Sequence, residues 1–173
     1  ALPVRGEGED YRGRLAELTD HDWKRIRAHY HALVTDVDRN VGRILDVLKE
    51  EGLEENTLVI FTSDHGEYLG DHGQVGKGGP GFDCIIRTPL LMRYPRLIEG
   101  GKTVEGLVES VDVVPTVLDY CGVQVHPSVQ GRSLVRLLDG RTESGRDSVF
   151  MEERYPGLQA TKTVRTETFM YSM

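Results

Sequence analysis

The residues of this chain best suited to chemistry lie between Asp64 and Lys77, in the segment TLVIFTSDHGEYLGDHGQVGK of residues 57–77. Asp64 and His65 are adjacent, one a hard oxygen donor and the other a borderline nitrogen donor. Such a mixed set suits a divalent cation. Two ligands do not complete a site, so further donors must come from elsewhere. Glu67, Asp71 and His72 follow on the same loop. Lys77 is the only lysine or arginine between Thr57 and Arg87. Beside a bound metal its ammonium would suit an anionic oxygen as a point charge. Asp64 could equally cap a turn and Lys77 be a solvated loop residue, and the spacing alone leaves both readings open.

Positioning these groups falls first to Leu58–Thr62, an apolar β-branched run that predicts a fully buried strand. It stops at Ser63, and in open α/β sheets the carboxyl ends of strands are where ligands bind. Seven glycines between Gly66 and Gly81 break up the loop that follows. Upstream, Thr19-Asp20-His21-Asp22 carries the cap-type and acidic residues of a helix start. Apolar residues from Trp23 to Leu48 then recur every three or four positions, the stripe of one long helix ending near Gly52. Residues 1–18 read as a loop or terminal arm. Downstream, Leu90–Tyr94 reads as a second strand and Val104–Glu109 as a short third. Ser110 and Asp112 offer caps for a helix over Val113–Tyr120, with Pro115 in its first turn. A short helix follows over Ser133–Leu138, then a charged, linker-like stretch at 139–147. Ser148–Glu152 and Thr163–Tyr171 read as two further strands. The alternation of helices and strands implies an α/β layer architecture. Strands with so few partners imply that the isolated chain self-associates.

The chain has 173 residues, 38% hydrophobic and 28% charged, with a formal charge of −7. That is enough for one domain with a real core. The acidic balance and the absence of a basic run exclude a general nucleic-acid surface. No apolar run approaches the length of a membrane span, and residues 1–14 lack the apolar segment of a signal peptide. Cys84 and Cys121 are too few for a disulfide framework or a structural zinc site, and both are expected to be small buried residues.

Four segments, in order, resemble the carboxyl-terminal portion of the sulfatase family, within the alkaline phosphatase superfamily. They are YHALVTDVDRNVGRILDVLKEEG, TSDHGEYLGDHG, GKGGPGFDCIIRTPLLMRYP and VESVDVVPTVLDYCGV followed by GRSLVRLLDG. The resemblance implies part of a mixed, mostly parallel sheet flanked by helices, the alkaline-phosphatase-like α/β fold. Residues 1–140 would belong to the catalytic domain, and 141–173 would begin a small carboxyl-terminal β subdomain. It also implies that Asp64 and His65 are metal ligands. Many members have asparagine in place of His65, and the histidine subset includes both sulfatases and phosphonate monoester or phosphodiester hydrolases. Lys77 matches the lysine that contacts the sulfuryl or phosphoryl oxygens. His72 lies in a Gly-Asp-His-Gly turn found in this subset, which makes it a further substrate-binding candidate. Phe82-Asp83 matches an aromatic–acid pair of structural role.

Sulfatases use a formylglycine made from cysteine or serine in a Cys/Ser-x-Pro/Ala-x-Arg motif. Neither Cys84-Ile-Ile-Arg87 nor Cys121-Gly-Val-Gln124 fits it. The remaining metal ligands and leaving-group residues of the family normally lie amino-terminal to the long helix. The chain therefore resembles the back portion of a longer enzyme, whose missing amino-terminal portion would be its first partner. The implied cofactors are a divalent cation, Ca2+ by family habit with Mn2+ or Zn2+ as alternatives, and a formylglycine upstream. The implied substrate is a small sulfated ester, and the implied location periplasmic or secreted, with a cytoplasmic one open. Two other readings compete: phosphonate or phosphodiester hydrolysis on the same fold, and a non-catalytic α/β module that supports a partner chain.

Overall fold

A long helix, α1 (Asp20–Glu50), begins where the sequence signals it, and both of its ends are closed by local chemistry. In this computed structural model, which describes residues 15–79, 81–141, 145–154 and 160–173, Thr19 is the N-cap. Its hydroxyl accepts from the Asp22 N–H at 3.3 Å, and the Thr19 N–H donates to the Asp22 carboxylate at 3.0 Å. That reciprocal capping box satisfies donors the first turn leaves unpaired. The Thr19 hydroxyl, which also donates to the Asp22 carboxylate at 2.6 Å, and the Thr19 N–H together hold the Asp22 carboxyl below its ordinary value. At the other end Gly52 adopts φ +66°, and the Gly52 and Leu53 N–H groups donate to the carbonyls of Lys49 and Leu48. This is a Schellman closure, which requires a left-handed residue at that position. Thr19→Ala is expected to destabilise the chain by about 1 kcal/mol, readable as a lower urea midpoint with unchanged slope.

The described chain divides into two units. The first contains the residues up to 54, 62–77 and 82–89. It holds α1, the loop after Thr62 and a single-turn helix, α2 (Asp83–Ile86). Its buried apolar residues are Tyr68, Ile85 and Leu15. Leu15 belongs to a short helical turn, so the expected arm is structured there, while residues 1–14 lie outside the described residues. The stripe of α1 does not form a core: none of its residues is buried, and Leu33, Val37 and Ile44 are all more than half exposed.

The second unit contains residues 55–61, 78–81 and 90–173. Strand β1 (Val59–Thr62) pairs with β2 (Leu90–Arg93) in a two-stranded sheet. The expectation of a fully buried strand fails: Phe61 is 39% exposed, because among the described residues β1 has only one neighbouring strand. Val104–Glu109 is not a strand either. It makes one antiparallel bridge, Leu107 to Arg146, and is interrupted at Gly106, whose φ of +120° takes it out of the extended region. Helix α3 spans Val113–Tyr120 and α4 spans Val135–Leu138. The Thr116 hydroxyl joins them, donating to the Asp112 carbonyl at 2.6 Å and accepting from the Leu134 N–H at 2.9 Å.

A three-stranded antiparallel sheet closes the second unit, in the order β3 (Val149–Glu153), β4 (Thr161–Arg165), β5 (Met170–Ser172). The single strand expected over Thr163–Tyr171 is thus a hairpin. Thr166 turns it: its N–H donates to the Phe169 carbonyl at 2.8 Å and its hydroxyl accepts from the Phe169 N–H at 2.9 Å. A threonine that satisfies its neighbours' backbone in this way favours a turn over continued strand. The stretch expected to be linker-like is structured at Arg146, which is largely buried against Asp112 and Glu109. Cys121 is exposed at the end of α3, against the expectation of burial; Cys84 is partly buried.

Candidate active site

The backbone leaves β1 at Ser63 and bends sharply, because Gly66 lies directly against the chain of α2. Its N–H donates to the Ile85 carbonyl at 2.7 Å, and the next N–H, of Glu67, donates to the Cys84 carbonyl at 3.1 Å. A Cβ on Gly66 would stand 1.9 Å from the Cys84 carbonyl oxygen, so no larger residue fits. The Glu67 carboxylate then reaches across the loop to accept from the Gly76 N–H, while the Tyr68 N–H donates to the Gly76 carbonyl. These two bonds bring the far end of the glycine-rich loop back beside its beginning. That closure sets Lys77 next to His65.

Three of the residues singled out by the sequence meet there. The Lys77 Nζ lies 2.7 Å from His65 Nε2, and Asp64 Oδ2 lies 3.6 Å from the same nitrogen. The other imidazole nitrogen, Nδ1, is 2.7 Å from the Gly66 carbonyl oxygen. A carbonyl only accepts, so Nδ1 carries the proton and Nε2 presents its lone pair. Metal-bound histidines are commonly oriented by such a bond on the second nitrogen. Ligands held about 2.0–2.6 Å from one cation are themselves roughly 3–3.5 Å apart, close to the observed carboxylate–imidazole separation. The His65 backbone N–H donates to Asp64 Oδ1 at 2.9 Å and holds that carboxyl below its ordinary value, with the Lys77 charge adding to the effect. Asp64 is therefore ionised at neutral pH. Among the described residues no third carboxylate, thiol or imidazole completes a cluster able to hold a metal. The chemistry of the donors fits a divalent cation.

His72 is held by aromatic rings. It occupies the left-handed region at φ 55°, and its ring stacks on Phe82 with centroids 3.8 Å apart and planes 15° from parallel. The buried Tyr68 meets both rings edge-on, at 6.4 and 6.3 Å. Leu69 is also left-handed, at φ 48°, and its carbonyl accepts from Arg27 Nε of α1 at 2.9 Å. Non-glycine residues in this region cost on the order of 1 kcal/mol or more each, which these contacts offset. Burial pushes the Cys84 thiol up, with the nearby Asp71 charge adding, so it is a poor nucleophile.

Sequence reasoning did not find the residues that shape the loop: Gly66, Glu67, Arg27 and Phe82 as the partner of His72. Only Gly66 left a signal, as a glycine directly after a strand-terminal Asp-His. A carboxylate accepting from a backbone N–H nine residues away leaves none.

Comparison with known proteins gives the family of the chain and its fold. Residues 7–123 match the family model named Sulfatase. An N-acetylglucosamine-6-O-sulfatase of Bacteroides thetaiotaomicron is 34% identical over 176 residues, covering 92% of this chain and 31% of that protein. The phosphonate monoester hydrolase of Agrobacterium radiobacter superposes with a TM-score of 0.82 at 34% identity, over 91% of this chain and 34% of the other. A protein solved with its substrate D-glucosamine-2-N,6-O-disulfate superposes with a TM-score of 0.80 at 31% identity, over 94% of this chain and 35% of the other. The fold is thus the alkaline-phosphatase-like α/β fold, and this chain spans about a third of the length of these relatives. Four ordered sequence segments, a family model matching most of the chain and these superpositions agree: the chain belongs to the sulfatase family.

Proposed function

We propose that this chain is the carboxyl-terminal part of a longer, metal-dependent sulfatase that hydrolyses small sulfate esters. Residues 1–140 then belong to its catalytic domain and 141–173 open a small carboxyl-terminal subdomain. The observation that carries the reading is the convergence of the Asp64 carboxylate, His65 Nε2 and Lys77 Nζ just after β1. Asp64 and His65 hold a divalent cation there, Ca2+ by preference, with Mn2+ or Zn2+ suited to the same oxygen–nitrogen pair. When bound, that cation supplies polarisation of a sulfate oxygen. Lys77 places a positive charge on the ester's anionic oxygens and stabilises the charge that develops during transfer of the sulfuryl group. Gly66 fixes the ring of His65 through its carbonyl. His72, exposed beside Phe82, contributes to the substrate surface. The nucleophile, a formylglycine, and the remaining metal ligands lie outside this chain.

A sulfated sugar is the substrate class best supported, since one relative is named an N-acetylglucosamine-6-O-sulfatase and one neighbour was solved with a sulfated glucosamine. A second reading, phosphonate monoester hydrolysis, is favoured by the likeness to the Agrobacterium enzyme. No helix among the described residues is long and apolar enough to cross a membrane; a periplasmic or secreted location fits the family.

The test uses the full-length enzyme. Lys77→Ala is expected to lower kcat/KM for an aryl sulfate by about 10²–10³-fold while the metal stays bound. Asp64→Ala and His65→Ala are expected to strip the metal, measured by elemental analysis after gel filtration. Unchanged metal content in both variants would sink the assignment. Turnover of an aryl phosphonate exceeding that of an aryl sulfate, with a transition metal bound, would move the enzyme to the second reading.

A further inference from the structure

His65 has more claimants than lone pairs. Its Nδ1 proton is committed to the Gly66 carbonyl at 2.7 Å, which leaves Nε2 as the only acceptor on the ring. A neutral imidazole offers a single lone pair at that atom. Lys77 Nζ stands 2.7 Å away, and an ammonium has donors only, so the contact takes up that lone pair. A cation bound by His65 needs the same one. The two cannot share it.

We infer that Lys77 is a placeholder for the metal: its ammonium occupies His65 Nε2 when the cation is absent and is displaced when the cation binds. This rests on the metal reading of Asp64 and His65 above and adds a coupling to it. Lys77 is exposed and its four-carbon stem is flexible, so a swing away from the ring meets no packing barrier. Displacement turns Lys77 from a group engaged by the protein into one available to an anion. The lysine thus becomes competent to meet a sulfate ester only in the metal-loaded site. Anion capture by an incomplete site is suppressed. The cost is weaker metal affinity than Asp64 and His65 would otherwise show.

Simple repulsion between an ammonium and a divalent cation would also weaken metal binding, so the test must separate the two. Asparagine at position 65 does this, because a carbonyl oxygen has two lone pairs and can serve lysine and metal together. Calcium affinity is measured by calorimetry on the full-length enzyme in four forms: unsubstituted, Lys77→Met, His65→Asn and the double variant. With His65 present, Lys77→Met is expected to tighten binding on the order of tenfold to a hundredfold, the range of a lost charged hydrogen bond. In the His65→Asn background the gain should shrink to a few-fold. Equal gains in both backgrounds, or no gain with His65 present, overturn the inference. In metal-free enzyme, Lys77→Met should also shift the His65 Nε2 nitrogen resonance, and an unmoved resonance counts against it equally. If instead neither Asp64→Ala nor His65→Ala weakens calcium binding, it is the metal reading that has failed, and the two failures are told apart.

Discussion

Gly66→Ala is expected to dismantle the bend that carries Asp64 and His65. The new Cβ would lie 1.9 Å from the Cys84 carbonyl oxygen and 2.8 Å from its carbon, both backbone atoms. No side-chain rotation relieves such a contact, so α2 must move away from the loop by an ångström or more, by roughly the deficit from van der Waals distance. Two backbone hydrogen bonds break with it, Gly66 to Ile85 and Glu67 to Cys84. Overpacking of this kind costs about 3 kcal/mol or more when backbone faces backbone. The chemical effect should exceed the loss of stability, because the Gly66 carbonyl also fixes the His65 ring. Metal affinity and kcat are therefore expected to fall together in variant protein that is still folded by circular dichroism. Gly100→Ala is the control: nothing lies within 4 Å of its Cβ position, and no change is expected. A Gly66→Ala enzyme with ordinary melting and full metal content would refute the close approach.

The second large effect is expected at Asp112, far in sequence from the candidate site. Its carboxylate is 1% exposed and accepts from four donors: the Arg132 N–H at 2.7 Å, the Glu109 N–H at 2.9 Å, and both Nε and Nη2 of Arg146. Glu109 shares Arg146 at 3.0 Å and accepts from the Phe150 N–H at 2.8 Å, which ties the turn before α3 to β3. Asp112→Asn keeps the shape but points an NH2 group at N–H donors and leaves Arg146 half-paired. Breaking one partner of such a buried pair costs about 3–5 kcal/mol, and a loss below 1 kcal/mol would show the network to be incidental. Burial pushes the Asp112 carboxyl up, but the Arg146 hydrogen bond, the two backbone donors and the Arg146 charge outweigh it and hold the group below its ordinary value. A carboxyl lowered in the folded state stabilises fully above its unfolded pKa, near 4. That stability is lost as pH falls through the lower folded value. The unsubstituted protein should thus lose stability steeply below about pH 4, and Asp112→Asn should flatten that part of the profile.

Reading the chain from its residues succeeded where information is local. The Thr19–Asp22 box and the Gly52 closure bound α1 within a residue or two of their sequence signals. The run before Ser63 is a strand, and Val113–Tyr120 is a helix with Pro115 in its first turn. It failed where the outcome depends on what packs against a segment. The stripe of α1 and the apolar run of β1 predicted burial, yet burial needs a second surface, and the described residues do not supply one. Asp112 reads as a cap because it precedes a helix, but Arg146, thirty-four residues on and inside a stretch that looked like linker, turns it into a buried ion pair. The hairpin at Thr166 escaped notice because its alternation continues through the turn.

For the candidate site the division is equally clear. Residue types and order alone determined the family, and they picked out as candidates the Asp-His pair at a strand end and a lone lysine twelve positions later, because metal and anion chemistry restrict which side chains serve. Only the tertiary structure decided that Lys77 stands on His65 Nε2, that Gly66 commits the other ring nitrogen, and that His72 packs on Phe82. The physical reason is that these contacts follow from the Glu67 carboxylate and Tyr68 amide closing on Gly76. That closure is set by the path of the backbone through a glycine-rich loop, where spacing along the chain carries little information about distance in space.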